Sequence, residues 1–174
     1  FRFQVAYNPL YQQYVQMSGV SPEKVEHWTL IPYLPIELFK SHSILTGSQP
    51  VLFSFESSGT TGQIPSKHSV CDPGFYQQIS KIAFEREYGS LSDYHIFALL
   101  PSYLERGNSS LVAMADHLIK LSRHPLGGFF LYDTAQLHAV LSQLESQGQA
   151  AILLGVTYAL LDFAEAYPMN LQHT

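Results

Sequence analysis

The sequence predicts an α/β fold, a mostly parallel sheet with helices on both faces. Two observations carry this. The segments His95 to Leu100 and Ala150 to Leu154 are apolar at nearly every position, as strands are when both their faces are buried. Helix-length amphipathic stretches with stop signals separate them, and a strand–helix–strand rhythm calls for parallel pairing with right-handed crossovers.

The elements follow in order along the chain. Phe3 to Met17 carries apolar and aromatic residues at helical spacing, with Pro9 weakening its middle. Ser21-Pro22-Glu23-Lys24 has the form of a helix start: a capping hydroxyl, a first-turn proline and an acid behind it. Pro32 and Pro35 make Ile31 to Phe39 an extended connector. Ser41 to Leu45 and Pro50 to Phe55 read as short strands, paired antiparallel through a turn at Thr46-Gly47-Ser48. Pro73 opens a helix to about Tyr88, stopped by Gly89. The apolar strand from His95 ends at Pro101. A helix from Ser109 to Arg123 and a strand from Gly128 to Tyr132 come next. Asp133 caps a helix through Gln147, and Gly148 stops it. The strand Ala150 to Leu154 and a helix from Val156 to Tyr167 complete the pattern.

Composition narrows the function classes. The chain has 174 residues, 46% of them apolar, enough to bury a core and too apolar for a disordered segment. A formal net charge of −5 without a basic run argues against nucleic acid or an anionic membrane as partner. No apolar run reaches the length of a membrane span. With Cys71 as its one cysteine, the chain has no internal disulfide to suggest secretion, and the expected location is cytoplasmic.

One segment stands out chemically: Ser57-Ser58-Gly59-Thr60-Thr61-Gly62-Gln63-Ile64-Pro65-Ser66-Lys67. The glycines let the backbone turn its N–H groups toward one point. Ser57, Ser58, Thr60 and Thr61 add hydroxyl donors, and Lys67 follows as a point charge. Such a loop can hold a triphosphate, although a polar surface turn uses the same residues. The spacing is neither that of a Walker loop, since Ile64 stands where its second glycine would be, nor that of a dinucleotide fingerprint.

Ligands of parallel sheets gather beyond the carboxyl ends of strands. Ser102 and Tyr103 follow one such end, and Gly155 and Thr157 another; these four are candidates for the border of a substrate or nucleotide pocket. Ser102 also reads as a turn or cap hydroxyl, and Tyr103 and Tyr158 as half-buried packing residues. His68 and Cys71 share a metal-like spacing, but two ligands do not make a site, and no metal ligands are assigned. Cys71 reads as a core thiol, and Asp162 with Glu165 as a solvated helix face.

Ser58-Gly59-Thr60-Thr61-Gly62, after an aromatic strand and before a proline and a lysine, resembles the phosphate loop of the adenylate-forming superfamily, which includes acyl-CoA ligases, luciferases and peptide-synthetase adenylation domains. Ile31-Pro32-Tyr33-Leu34-Pro35-Ile36-Glu37-Leu38-Phe39-Lys40, the run from Leu100 to Leu111 and the run from Leu154 to Asp162 are similar to LuxE-type acyl-protein synthetases. The similar segments occur in the family's order over most of the chain. One departure is Pro65-Ser66-Lys67, one residue longer than the family's Pro-Lys pair.

The resemblance implies a two-step reaction. A carboxylic acid, fatty acyl in the synthetases, attacks the α-phosphate of Mg2+-bound ATP, pyrophosphate leaves, and the acyl group passes from the adenylate to a thiol. The acceptor would be a protein cysteine, a carrier protein or coenzyme A. Ser57, Ser58, Thr60 and Thr61, with the amides of Gly59 and Gly62, would hold the β- and γ-phosphates, and Lys67 would balance charge on departing pyrophosphate. No residue is assigned a catalytic role. Residues 1–174 would form the N-terminal part of the large domain. The family's adenine and metal segment, ribose-binding aspartate and mobile lysine are absent, so these residues alone are expected to bind nucleotide poorly and turn nothing over. The alternative is a non-catalytic relative that keeps the fold and binds an acyl chain or a partner. Glu56 gives that alternative weight, because an acid directly before the loop would repel a triphosphate unless it faces away or binds Mg2+.

Overall fold

The computed structural model describes residues 1–57, 64–100, 107–122 and 124–174. The chain divides into two compact units, Phe1–Pro73 and Gly74–Thr174.

The first unit opens with two helices where the spacing predicts one, α1 (Arg2–Tyr7) and α2 (Pro9–Met17). Pro9 does not weaken a helix; it starts one. Asn8 is extended and its side chain accepts the Tyr11 N–H at 3.1 Å, leaving Pro9 in the first-turn position where its missing N–H costs nothing. The start signal at Ser21 yields only a 3-10 turn, Pro22–Lys24, because the chain is extended again at Val25. The proline-rich connector then leads to a single helical turn, α3 (Leu38–Ser41).

The antiparallel pair is a correction to the sequence reading. Strand β1 (Phe53–Glu56) pairs with β2 (Lys67–Val70), not with the segment from Ser41. The turn at Gly47 closes no hairpin. Its φ of +80° suits glycine, and its N–H donates to Tyr7 C=O at 2.7 Å while Thr46 Oγ1 donates to Gln4 Oε1, so the turn is tied to α1. Phe55 and Val70 form the buried part of this hairpin.

The second unit is mixed α/β, as predicted. It contains α4 (Pro73–Tyr88), whose first residue marks the boundary, then β3 (His95–Leu99), α5 (Ser110–Ser122) and β4 (Gly128–Phe129). Next come α6 (Thr134–Ser146), β5 (Ala151–Gly155) and α7 (Thr157–Ala166). The three strands are parallel in the order β4-β3-β5. The predicted strand to Tyr132 is shorter and ends at Phe129.

Every residue of β3 is buried, and its alternation sorts two cores. Phe97 and Leu99 pack with Leu137, Leu141 and Leu144 of α6 and with Ala159 and Phe163 of α7. On the other face, Ile96 meets Phe84 of α4 and Leu118 of α5, and Ala98 meets Ala115 of α5. The topology explains the division. The first crossover runs from β3 out to β4; the second returns past β3 to β5, and two crossovers of one hand but opposite direction lie on opposite faces. Two glycines allow the tight packing. A Cβ on Gly127 would stand 2.8 Å from the carbonyl oxygen of Ile96, and one on Gly155 would stand 2.7 Å from the Leu160 side chain. Among the described residues no helix is long and apolar enough to cross a membrane.

Candidate functional site

The Ser/Thr/Gly segment spans the two strands of the first unit's hairpin. The ladder runs Phe53↔Val70, Ser54↔Ser69, Phe55↔His68 and Glu56↔Lys67. Ser57 and Ser66 extend it by one pair: the Ser57 N–H donates to Ser66 C=O at 3.0 Å, and the Ser66 N–H donates to Ser57 Oγ at 2.9 Å. The Ser57 oxygen is thus used as an acceptor, which leaves its O–H to donate elsewhere. Ser58, Gly59, Thr60, Thr61 and Gly62 lie outside the described residues, as do Ser102 and Tyr103.

Lys67 sits at the base of the hairpin loop, and its Nζ is 3.3 Å from Glu56 Oε1. The side chains are 61% and 34% exposed, so the pair contributes little to stability and either partner can be exchanged at small cost. Glu56 faces a cation directly across the ladder.

In the second unit, Gly155 ends β5 opposite Leu99, the last residue of β3. The chain leaves β3 for α5 on one face and leaves β5 for α7 on the other. Adjacent strands whose exits diverge in this way open a crevice at their carboxyl ends. Gly155 is needed there for packing, since a Cβ would press on Leu160 and lie 3.2 Å from the Leu99 carbonyl. Thr157 begins α7 and is exposed.

Near the carboxyl end of β3, with neither Gly155 nor Thr157 among its lining residues, lies a mainly apolar groove of about 360 Å3. Leu99, Leu131, Ala159 and Phe163 line it together with Tyr132, Thr134, Tyr158 and Asp162. Tyr158 is 52% exposed and belongs to this groove, so it is not the half-buried packing residue that its sequence context also allowed. Asp162, read as part of a solvated face, is another of the lining residues. Tyr132 and Thr134 follow the carboxyl end of β4, so the same strand-end argument that points to the ends of β3 and β5 reaches them too.

A second unforeseen cluster lies at the amino end of β3. His95 is 8% exposed, its Nε2 shares a hydrogen bond with Gln149 Oε1 at 3.0 Å, and its buried Nδ1 has no partner among the described residues. The His124 ring is 4.0 Å away, centroid to centroid, and its Nε2 bonds Ser92 C=O at 2.8 Å. Burial, and then the neighbouring His124, hold the His95 pKa below the ordinary histidine value, against the opposing effect of Gln149. This cluster is at the end of the sheet away from the groove.

His68 stacks on Phe39, and Cys71 is a free, half-buried thiol whose Sγ lies 3.6 Å from Gln49 C=O. Among the described residues no group of three His, Cys, Asp or Glu side chains could hold a metal ion. Comparison with protein-family models, with curated proteins and with solved structures finds no match to this chain.

Proposed function

We propose that this chain is the phosphate-binding portion of an adenylate-forming enzyme that activates a carboxylic acid, fatty acyl by resemblance, with ATP and passes the acyl group to a thiol. The observation that carries the reading is the hairpin. A Ser/Thr/Gly-rich segment joins two paired strands, Ser57 Oγ accepts from Ser66 N–H and makes no other bond among the described residues, and Lys67 stands in the adjoining rung beside a weakly held partner. Loop hydroxyls and amides would hold the β- and γ-phosphates, and Lys67 would turn from Glu56 to the more highly charged pyrophosphate. Mg2+ would arrive with ATP and share the phosphate charge. In the second unit, the groove beside Leu99 and Phe163 has the apolar lining that an acyl chain or aryl ring requires. Cys71 is a poor acceptor thiol, being half-buried and beside a carbonyl.

The alternative of a non-catalytic module drew its weight from Glu56. Its pairing with Lys67 supplies a structural reason for that acid without abandoning the nucleotide.

Titration with Mg2+-ATP, followed by amide NMR, tests the phosphate loop. The expected result is weak binding that shifts Ser57, Ser66 and Lys67, and that is lost in a Thr60→Ala, Thr61→Ala variant. Shifts that survive both substitutions, or none at millimolar nucleotide, would remove the loop from the reading.

A further inference from the structure

Strand β5 lies at one edge of the sheet, and its register determines which backbone groups look outward. The His95 N–H donates to Ala150 C=O at 3.0 Å, and His95 stands opposite Ala151. In a parallel ladder of this register, Ala150, Ile152 and Leu154 bond to β3, while Ala151, Leu153 and Gly155 direct their polar groups away from it.

The first of these outward groups is taken by the segment that follows α7, where the Ala151 N–H donates to His173 C=O at 2.8 Å. Helix α6 holds that segment as well. The Glu145 carboxylate accepts the N–H of Gln172 at 2.6 Å and of His173 at 3.1 Å. Leu153 and Gly155 meet no backbone partner on the outward side among the described residues. Beside them runs an apolar groove of about 350 Å3, with Leu153, Leu160, Met169 and Leu171 among its lining residues.

Bare edges recruit other strands, and proteins blunt them with charge, proline, bulges or a cover. Ala151-Ile152-Leu153-Leu154-Gly155 contains no charge and no proline. The segment after α7 is the cover. We propose that residues 168–174 form a strap that guards the outer edge of β5 against pairing with a second copy of this chain, and that Glu145 is its latch.

A second copy is the occupant because the edge is self-complementary. About a twofold axis at Leu153, antiparallel pairing lets the two Leu153 residues exchange both hydrogen bonds and sets Ala151 opposite Gly155 of the second copy. While His173 occupies Ala151, the end rungs of that ladder are blocked in both copies. The inference is independent of the proposed activity, since it concerns the edge of the sheet and not its carboxyl end.

Glu145→Ala tests the latch in the full chain, with hydrogen exchange read residue by residue. The Ala151 amide should exchange about tenfold faster or more, as expected on losing hydrogen bonds to a charged acceptor. The Ile152 and Leu154 amides, bonded to β3, should be unchanged. Sedimentation should reveal a concentration-dependent dimer in Glu145→Ala that disappears in Glu145→Ala, Leu153→Lys, where a charge meets its own copy across the axis. An unchanged Ala151 rate in Glu145→Ala would overturn the latch. A variant that stays monomeric, or a dimer that persists with Leu153→Lys, would overturn the guarded edge.

Discussion

The two units use apolar residues in opposite ways. In Gly74–Thr174 they are spent on a core: β3 is buried along its whole length, and leucines of α6 with Ala159 and Phe163 of α7 cover one face. In Phe1–Pro73 the buried apolar residues, among the described ones, are Tyr11, Val15, Phe55 and Val70, while Phe3, Tyr7, Trp28, Tyr33 and Ile36 stand exposed. The parallel sheet has two faces to cover and helices for each, so its sequence is apolar without interruption. The hairpin of the first unit is short, and its neighbours are single turns and a proline-rich connector that can cover little. On the reading proposed above, phosphate binding falls to the sparsely packed unit and the acyl groove to the well-packed one.

Alanine substitutions test this contrast most strongly. Leu141 is 0% exposed between α6 and β3, and Leu141→Ala should cost about 2–5 kcal/mol in denaturant unfolding. Trp28, a larger side chain at 66% exposure, should change stability by about 0.5 kcal/mol or less when replaced by alanine. Comparable losses at the two positions would erase the distinction.

A smaller effect is expected where the sheet meets its candidate groove. Gly155→Ala forces a methyl against Leu160 and toward the Leu99 carbonyl, and should cost about 1–3 kcal/mol. Adding Leu160→Ala should recover part of the loss, because the clash is with a side chain. If the single variant is as stable as the parent, the close approach of α7 to β5 is wrong.

The pH dependence is subtler. The His95 pKa is lowered in the folded chain, so the unfolded chain binds the proton more readily. Stability from this group is therefore full above about pH 6.5, the ordinary histidine value, and is lost as pH falls through the lower folded value. His95→Gln should flatten that decline in urea midpoints measured from pH 7.5 to 5. A slope unchanged by the substitution would assign the pH sensitivity to other groups.

Legibility in the sequence follows the same contrast. The parallel strands were plain because burial on both faces leaves an uninterrupted apolar run, and their helices because Asp133, Gly89 and Gly148 punctuate them. The hairpin was misread because its β2 strand, Lys67-His68-Ser69-Val70, is polar on its open face, while Ser43-Ile44-Leu45 looks more strand-like. Pro9 misled because one residue serves as breaker or starter according to whether Asn8 caps the following turn. The end of β5 at Gly155 and the start of α7 at Thr157 could be placed from topology, but neither residue is among those lining the groove. Glu56 could be understood only with the register in hand, because its partner is eleven positions away and is brought opposite by the ladder. The contact of His95 with His124 leaves no periodic trace in the chain.

The most direct test of the central claim is carboxylate-dependent exchange of labelled pyrophosphate into ATP, measured on the longest polypeptide that carries this chain, with fatty, aryl and amino acids in parallel. The account predicts exchange with one class of acid, fatty acids first, abolished by Thr60→Ala with Thr61→Ala while folding is retained. A well-folded protein that exchanges with none of these acids would contradict acid activation and leave the hairpin loop without a nucleotide to hold.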